Sequence, residues 1–173
     1  MQSHIWAPLG MRQITFHLHT RPDVEAEIGE MALRVPSGEI EAVGSRFWPD
    51  ETEFDSGGAG AYSSMAEYVK VLIAVLRNDG TLLKPATMDL LFQPQLSPAV
   101  QTTLDKTLYA NGGLPVFSAN LPPSARLTQA LGGTVCLSDV VGDATGGSGR
   151  RRNKGSLSWS GLPNVWWMID PTA

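Results

Sequence analysis

A chain of 173 residues has a single-domain length and can bury most of its apolar surface. Hydrophobic residues make up 42% and charged residues 17%, which favours a packed interior and excludes a disordered chain. Lys and Arg number 13 against 17 Asp and Glu, a net charge of −4 that speaks against broad nucleic-acid binding, and the single cysteine, Cys136, excludes an internal disulfide or a Cys-rich zinc site.

In chain order, Ser3 is placed to cap a short helix over His4 to Leu9 that stops at Gly10. Ile14 to Leu18 is β-branched and aromatic and reads as a strand. Met31 to Val35 and Ile40 to Val43 flank Pro36-Ser37-Gly38-Glu39, the pattern of two strands around a turn. Phe47 to Ser56 is acidic and reads as a surface loop.

Gly57-Gly58-Ala59-Gly60 leads into the clearest element. Ser64 and Glu67 have capping-box spacing, and Met65, Val69, Leu72, Ile73 and Leu76 share one helical face. The spacing predicts a helix over 65–77, stopped by Asn78-Asp79-Gly80 with Gly80 as the left-handed cap. Pro85 suits a first helical turn, so Ala86 to Phe92 reads as a short helix.

Ser97 to Gln129 is interrupted by Pro and Gly and reads as a long ordered loop. Leu131 to Leu137 reads as a strand and Asp143 to Asn153 as a turn rich in Gly and Arg. Ser156 to Ser160 and Val165 to Asp170 read as two strands, joined by Gly161-Leu162-Pro163-Asn164. No apolar run nears the ~20 residues that span a bilayer. No basic-then-apolar leader opens the chain, so the expected location is the cytoplasm.

Four stretches together resemble the serine β-lactamase-like family. They are Ile5-Trp6-Ala7-Pro8-Leu9-Gly10-Met11 followed by Thr15-Phe16; Gly57 to Ser64 with the 65–77 helix; Leu131-Gly132-Gly133; and Gly155 to Gly161 followed by Trp166 to Pro171. That family groups class C β-lactamases, penicillin-binding proteins, esterases and transesterases that acylate polyketides. The resemblance leans to the esterase and transesterase branch, because Trp159 stands where β-lactamases place Lys. It implies an α/β fold of the α+β type: antiparallel sheet strands with flanking helices. The whole of 1–173 is expected to be the C-terminal portion of one such domain, without the Ser-x-x-Lys region and the closing C-terminal segment.

Acyl transfer in this family needs a serine nucleophile, a lysine one helical turn later, a tyrosine that relays the proton, and two N–H groups for the oxyanion. Three positions before Lys70, Lys84, Lys106 and Lys154 stand Glu67, Thr81, Thr103 and Arg151, so Ser-x-x-Lys is absent from the sequence. Ser148-Gly149-Arg150-Arg151 imitates it, but arginine stays protonated and cannot act as the base. Tyr109-Ala110-Asn111 spells Tyr-x-Asn, but it follows the Pro8-Leu9-Gly10-Met11 segment whereas the family's tyrosine precedes it. Tyr109 therefore reads as a loop residue.

By the resemblance, Trp159, Ser160 and Gly161 occupy the third active-site triplet, and the N–H of Leu162 is the implied oxyanion donor. No catalytic residue is assigned within the chain. No cofactor and no metal are expected. The expected partner is a small-molecule ester or thioester substrate, with an acyl-carrier protein as a candidate donor.

Other motifs read more simply. Gly57-Gly58-Ala59-Gly60 lacks the Lys and Ser/Thr of a phosphate loop and reads as a turn. His17 and His19 share a strand face and read as surface histidines. Arg150-Arg151-Arg152 with Lys154 reads as a solvated turn, and Cys136, between Val135 and Leu137, as a buried small hydrophobe. Two functions remain open. The chain is part of a serine hydrolase or transesterase, inactive and poorly stable by itself. Alternatively, it is a diverged, non-catalytic binding module.

Overall fold

The computed structural model describes residues 1–44, 46, 51, 53–109, 125–140, 152–161 and 165–172. Two compact units emerge, Met1–Ala74 and Val75–Ala173.

The first unit opens with a π-helical turn, Gln2–Trp6. The expected helix over 4–9 is thus displaced: Met1 is the cap, and Ser3 makes no capping bond. Gly10, at φ +63°, ends the following turn in a conformation that glycine adopts without strain. The strand expected from Ile14 to Leu18 is only Ile14–Thr15 (β1), because the chain turns into a 3-10 turn at Leu18–Thr20 and then a short helix, Pro22–Glu25 (α1). Trp6, Met11, Ile14 and Phe16 form the core of this unit, with the Trp6 and Phe16 rings stacked at 5.8 Å.

Ala32–Arg34 (β2) and Ile40–Ala42 (β3) pair antiparallel as expected, with Gly38 at φ +89° in the turn. Of the acidic segment after Phe47, Glu51, Glu53, Phe54 and Asp55 are exposed, while 47–50 and 52 lie outside the described residues. His17 Nε2 meets Asp55 Oδ1 at 3.0 Å.

Tyr62–Ser63 (β4) leads into Met65–Arg77 (α2), the predicted span. The helix ends at Arg77 as expected, with Asn78 already in the left-handed conformation at φ +47° and Gly80, the expected left-handed cap, following at φ +84°. Met65, Val69, Ile73 and Leu76 are exposed, whereas Glu67 and Ala74 are buried and Val71 packs on the Trp6 cluster. The apolar stripe is real, but α2 turns its other side inward.

In the second unit Pro85–Leu90 (α3) comes first. The long loop expected after Ser97 is instead interrupted by a helix, Pro98–Tyr109 (α4), with Tyr109 as its last residue rather than a loop residue. Pro98 suits the first turn, the Ser97 carbonyl accepts the Gln101 N–H, and no Pro or Gly follows until Gly112.

A four-stranded antiparallel sheet follows in the order Leu127–Gln129 (β5), Thr134–Cys136 (β6), Leu157–Ser160 (β7) and Trp166–Ile169 (β8). β5 falls inside the expected loop. The strand expected over 131–137 is only β6, because Gly132 and Gly133 form the turn before it.

Strand alternation splits the sheet into two faces. Leu127 and Cys136 pack with Leu104 and Leu108 of α4 on one face. Val135, Leu157 and Trp167 pack with Ala130 and Phe92 on the other. Cys136 is fully buried, as expected, and its thiol donates to the Ser138 carbonyl at 3.1 Å.

Candidate functional site

Within the first unit, two of the resembling stretches meet. β1 pairs with β4, placing Ile14 opposite Ser63 and Thr15 opposite Tyr62. Ser63 Oγ donates to the Gln13 carbonyl at 3.0 Å. One turn into α2, Glu67 Oε2 accepts the Arg12 N–H at 3.0 Å, and Lys70 Nζ donates to the Gly10 carbonyl at 2.9 Å. Glu67 and Lys70 also pair with each other at 2.9 Å.

The capping box is therefore half formed. Ser64 Oγ accepts the Glu67 N–H at 3.2 Å, but the Glu67 carboxylate reaches across to Arg12 instead of back to Ser64. Burial pushes the Glu67 carboxyl up, yet the Lys70 ammonium and the Arg12 N–H outweigh it and hold the pKa below its ordinary value. The Glu-x-x-Lys pair thus clasps the Gly10–Arg12 backbone onto α2. The sequence held the spacing, but Glu67 read as a cap because its second partner lies 55 residues away.

In the second unit, Trp159, Ser160 and Gly161 come together on β7 and its end. Trp159 lies opposite Trp167, and Ser160 opposite Trp166. The Gly161 N–H goes to the Val165 carbonyl at 2.8 Å. Alternation then turns the N–H and carbonyl of Ser160 away from β8 and toward the β6 side.

β6 does not continue to meet them. Its last pair with β7 is Thr134 with Ser158, and the next in register would be Gly132 with Ser160. The Gly132 N–H is instead donated to the Leu91 carbonyl at 3.0 Å. The chain peels away at the glycine pair, and among the described residues no strand pairs with the β7 edge at Ser160. Leu162, the implied oxyanion donor, lies outside the described residues, as do 163 and 164 of the hairpin turn.

The glycines are needed for this departure. A Cβ at Gly132 would sit 2.8 Å from Leu157 Cδ2, and one at Gly133 2.7 Å from the Ser158 carbonyl oxygen. Gly133 also has φ +147°, which side-chain-bearing residues rarely adopt.

Behind β7 the basic run departs from expectation. Arg152 is not solvated but 3% exposed, donating Nε to Ser156 Oγ at 3.0 Å and Nη2 to the Ser156 carbonyl at 3.1 Å. The isolated bridge to Val140 pulls its backbone inward. Burial lowers its pKa, though a guanidinium remains charged at working pH. Arg150 and Arg151 lie outside the described residues. Asp170 accepts bonds from Asn153 Nδ2 at 3.0 Å and Thr172 Oγ1 at 2.9 Å, tying the end of β8 to the start of this segment.

An edge with outward N–H and carbonyl groups, beside small residues, can receive an extended or carbonyl-bearing substrate. No helix among the described residues is long and apolar enough to cross a membrane.

Comparison with known proteins gives the chain's family and fold. The β-lactamase family model matches residues 1–173. The monacolin J acid methylbutanoyltransferase of Aspergillus terreus is 35% identical over 100% of this chain and 40% of its own length. The lovastatin esterase of Penicillium rubens is 32% identical, over 98% of this chain and 41% of its own. The unliganded simvastatin synthase structure from Aspergillus terreus superposes with a TM-score of 0.80 at 34% identity, over 98% of this chain and 39% of that one. The chain thus spans 40% of the length of the first of these relatives. It belongs to the serine β-lactamase-like family and has the β-lactamase-like α/β fold.

Proposed function

We propose that this chain supplies the third-motif strand of a serine acyltransferase or esterase, and that it does not carry out the acyl step by itself. The substrates are carboxylic esters or thioesters, passed through an acyl-enzyme, with a small-molecule acceptor and an acyl-carrier protein as candidate donor. The observation that carries the reading is the β7 edge at Ser160, which no strand among the described residues pairs, opened where Gly132 turns to Leu91. Acyltransferase and esterase relatives support it. So does Trp159, which puts an indole where a β-lactam carboxylate would need a cation.

In this role Trp159, Ser160 and Gly161 flank the reacting carbonyl, and the N–H of Leu162 is one of two oxyanion donors. The serine, lysine and tyrosine come from outside these residues, since Ser-x-x-Lys is absent from the 173.

Two measurements test this. The chain incubated with a methylbutanoyl thioester is expected to show no acyl adduct by intact mass; an adduct mapped to one serine overturns the claim of inactivity. Placing residues 156–161 at the matched position of the Aspergillus terreus methylbutanoyltransferase is expected to preserve its acyl transfer. Gly161→Val in that chimera is expected to cost about 100-fold, the scale of one oxyanion contact, because its side chain would keep the reacting carbonyl away from the neighbouring Leu162 N–H. A chimera indifferent to Gly161→Val overturns the assigned role.

A further inference from the structure

β7 is held against β6 by a short ladder. Thr134 pairs with Ser158 and Val135 with Leu157, and beyond these β6 turns away at Gly132. β8 does not fix this register, because β7 and β8 pair with each other and would slide along β6 together. A slip of one residue sends every side chain of a strand to the other face and turns every backbone group to the other edge. It would put the backbone of Trp159 in the place of Ser160.

The start of β7 carries a device against such a slip. Gly155 donates its N–H to the Cys136 carbonyl at 2.8 Å, and Cys136 donates its N–H to the Ser156 carbonyl at 3.0 Å. Gly155 and Ser156 thus both oppose Cys136. With Gly155 at φ +86°, this is a glycine β-bulge. Ser156 closes the turn that leads into it, donating its N–H to the Asn153 carbonyl at 3.1 Å. Without the extra residue Gly155 alone would face Cys136, Ser156 would face Val135, and Trp159 would come into register with Gly132.

Arg152 grips the second residue of the bulge. Its two bonds to Ser156 end on the hydroxyl and on the carbonyl that also takes the Cys136 N–H. Both side chains lie in the interior. The backbone of Arg152 exchanges two bonds with Val140, a member of the buried cluster that holds Leu108 and Cys136. The next residue, Asn153, is tied to Asp170 beyond the end of β8. The guanidinium is therefore anchored to the covered side of the sheet and holds the bulge in place. Burying a charge is costly, and selecting one register over another is the best-attested use of such a group.

We propose that Arg152 is a positioning residue for acyl transfer. By locking the Gly155–Ser156 bulge it sets the register of β7, so that Ser160 turns its backbone to the edge that β6 leaves and Gly161 follows it at the reacting carbonyl. The kinetic half of this inference rests on the function proposed above; the register half does not.

The register is read in the full 173-residue chain from nuclear Overhauser contacts between α-protons. Val135 is expected to meet Leu157 in the parent chain and Ser156 in Arg152→Met. If Arg152→Met alters the far-UV spectrum, Ser156→Ala, which removes one of the two acceptors, becomes the deciding substitution. The same substitutions are then made in the Aspergillus terreus methylbutanoyltransferase with its matched segment replaced by these 173 residues. There kcat per titrated active site is expected to fall about tenfold or more, with KM within about twofold, because a misplaced edge costs alignment and not binding. Loss of folded protein alone would lower the number of active sites and leave kcat per site unchanged. The inference is overturned by a Val135–Leu157 contact that persists in the deciding variant, or by an unchanged kcat per site. A chimera that transfers no acyl group with Arg152 intact sinks the proposed function instead, and the Val135 contact alone then decides the register.

Discussion

At the β5 edge of the sheet, Gln101 and Gln95 occupy the outward carbonyls, and α4 lies over the face behind them. At the β8 edge Met168 turns its backbone outward, and Trp166 is 40% exposed. The strands themselves do not encode this difference. Leu127 and Met168 occupy equivalent alternating positions, and each is apolar. What differs is whether another segment carries the side chains that finish the edge. Burial is a property of the pair of surfaces, and one strand's sequence reports only its own half.

The sharpest way to break the comparison is truncation at each end. Leu127→Ala is expected to cost about 2–5 kcal/mol, because it opens a cavity under α4. Met168→Ala is expected to cost less than about 1 kcal/mol, the usual range for a surface substitution. Exchange of the Val135 amide reads both, and equal losses would show that the β8 end is covered too.

Next in size is the glycine pair between the two ends. Gly133→Ala puts a Cβ against the Ser158 carbonyl at a positive φ, which is expected to cost about 2–3 kcal/mol. The same substitution at Gly38, where the space is open, is expected to cost about 1 kcal/mol. Chemical denaturation followed by exchange at Ser158 and at Glu39 measures the two. A Gly133→Ala chain as stable as Gly38→Ala would mean that β6 can leave β7 without glycine.

Arg152→Leu is expected to cost about 1–3 kcal/mol, by stripping Ser156 of its buried donors. The loss is expected at the Cys136 amide, which bonds the Ser156 carbonyl at 3.0 Å, and not at Met168. Uniform loosening of both would erase the contrast between the ends.

The smallest effect is electrostatic and lies in the other unit. The folded-state pKa of Glu67 is depressed, so its contribution is complete above its ordinary value of 4.5 and is lost as pH falls through the lowered value. Glu67→Gln is expected to flatten this part of the acid profile of the first unit. An unchanged acid limb would show that the clasp on Gly10 and Arg12 contributes nothing measurable.

Elements whose signal is local were legible. The β2–β3 hairpin follows from Pro36 to Glu39 between two apolar runs, and α2 from Ser64 and the period of its apolar residues. β7 and β8 follow from their aromatic and β-branched content. α4 was hidden because Thr102, Thr103 and Thr107 weaken its helical pattern; in the fold their hydroxyls donate to carbonyls four residues earlier. β5 was too short to show alternation.

The inward side of α2 could not be read from its stripe, because Arg12 and Gly10 choose it from a distance. The third-motif residues were named by resemblance. The reason Ser160 has an open edge lies in the Gly132 bond to Leu91, which no spacing reveals. Arg152 looked solvated for the same cause: a charged run does not announce which member folds under.

The fully buried Cys136 also bears on how this sheet can be watched. As the single thiol in the chain, it lies between β6 and α4 on the closed side of the sheet. A thiol there reacts with an alkylating reagent only when that side opens, so its labelling rate is a clock for local unfolding with no added probe. The closed end reports on itself, and covering the open end with a partner should register in that rate only so far as the two ends breathe together.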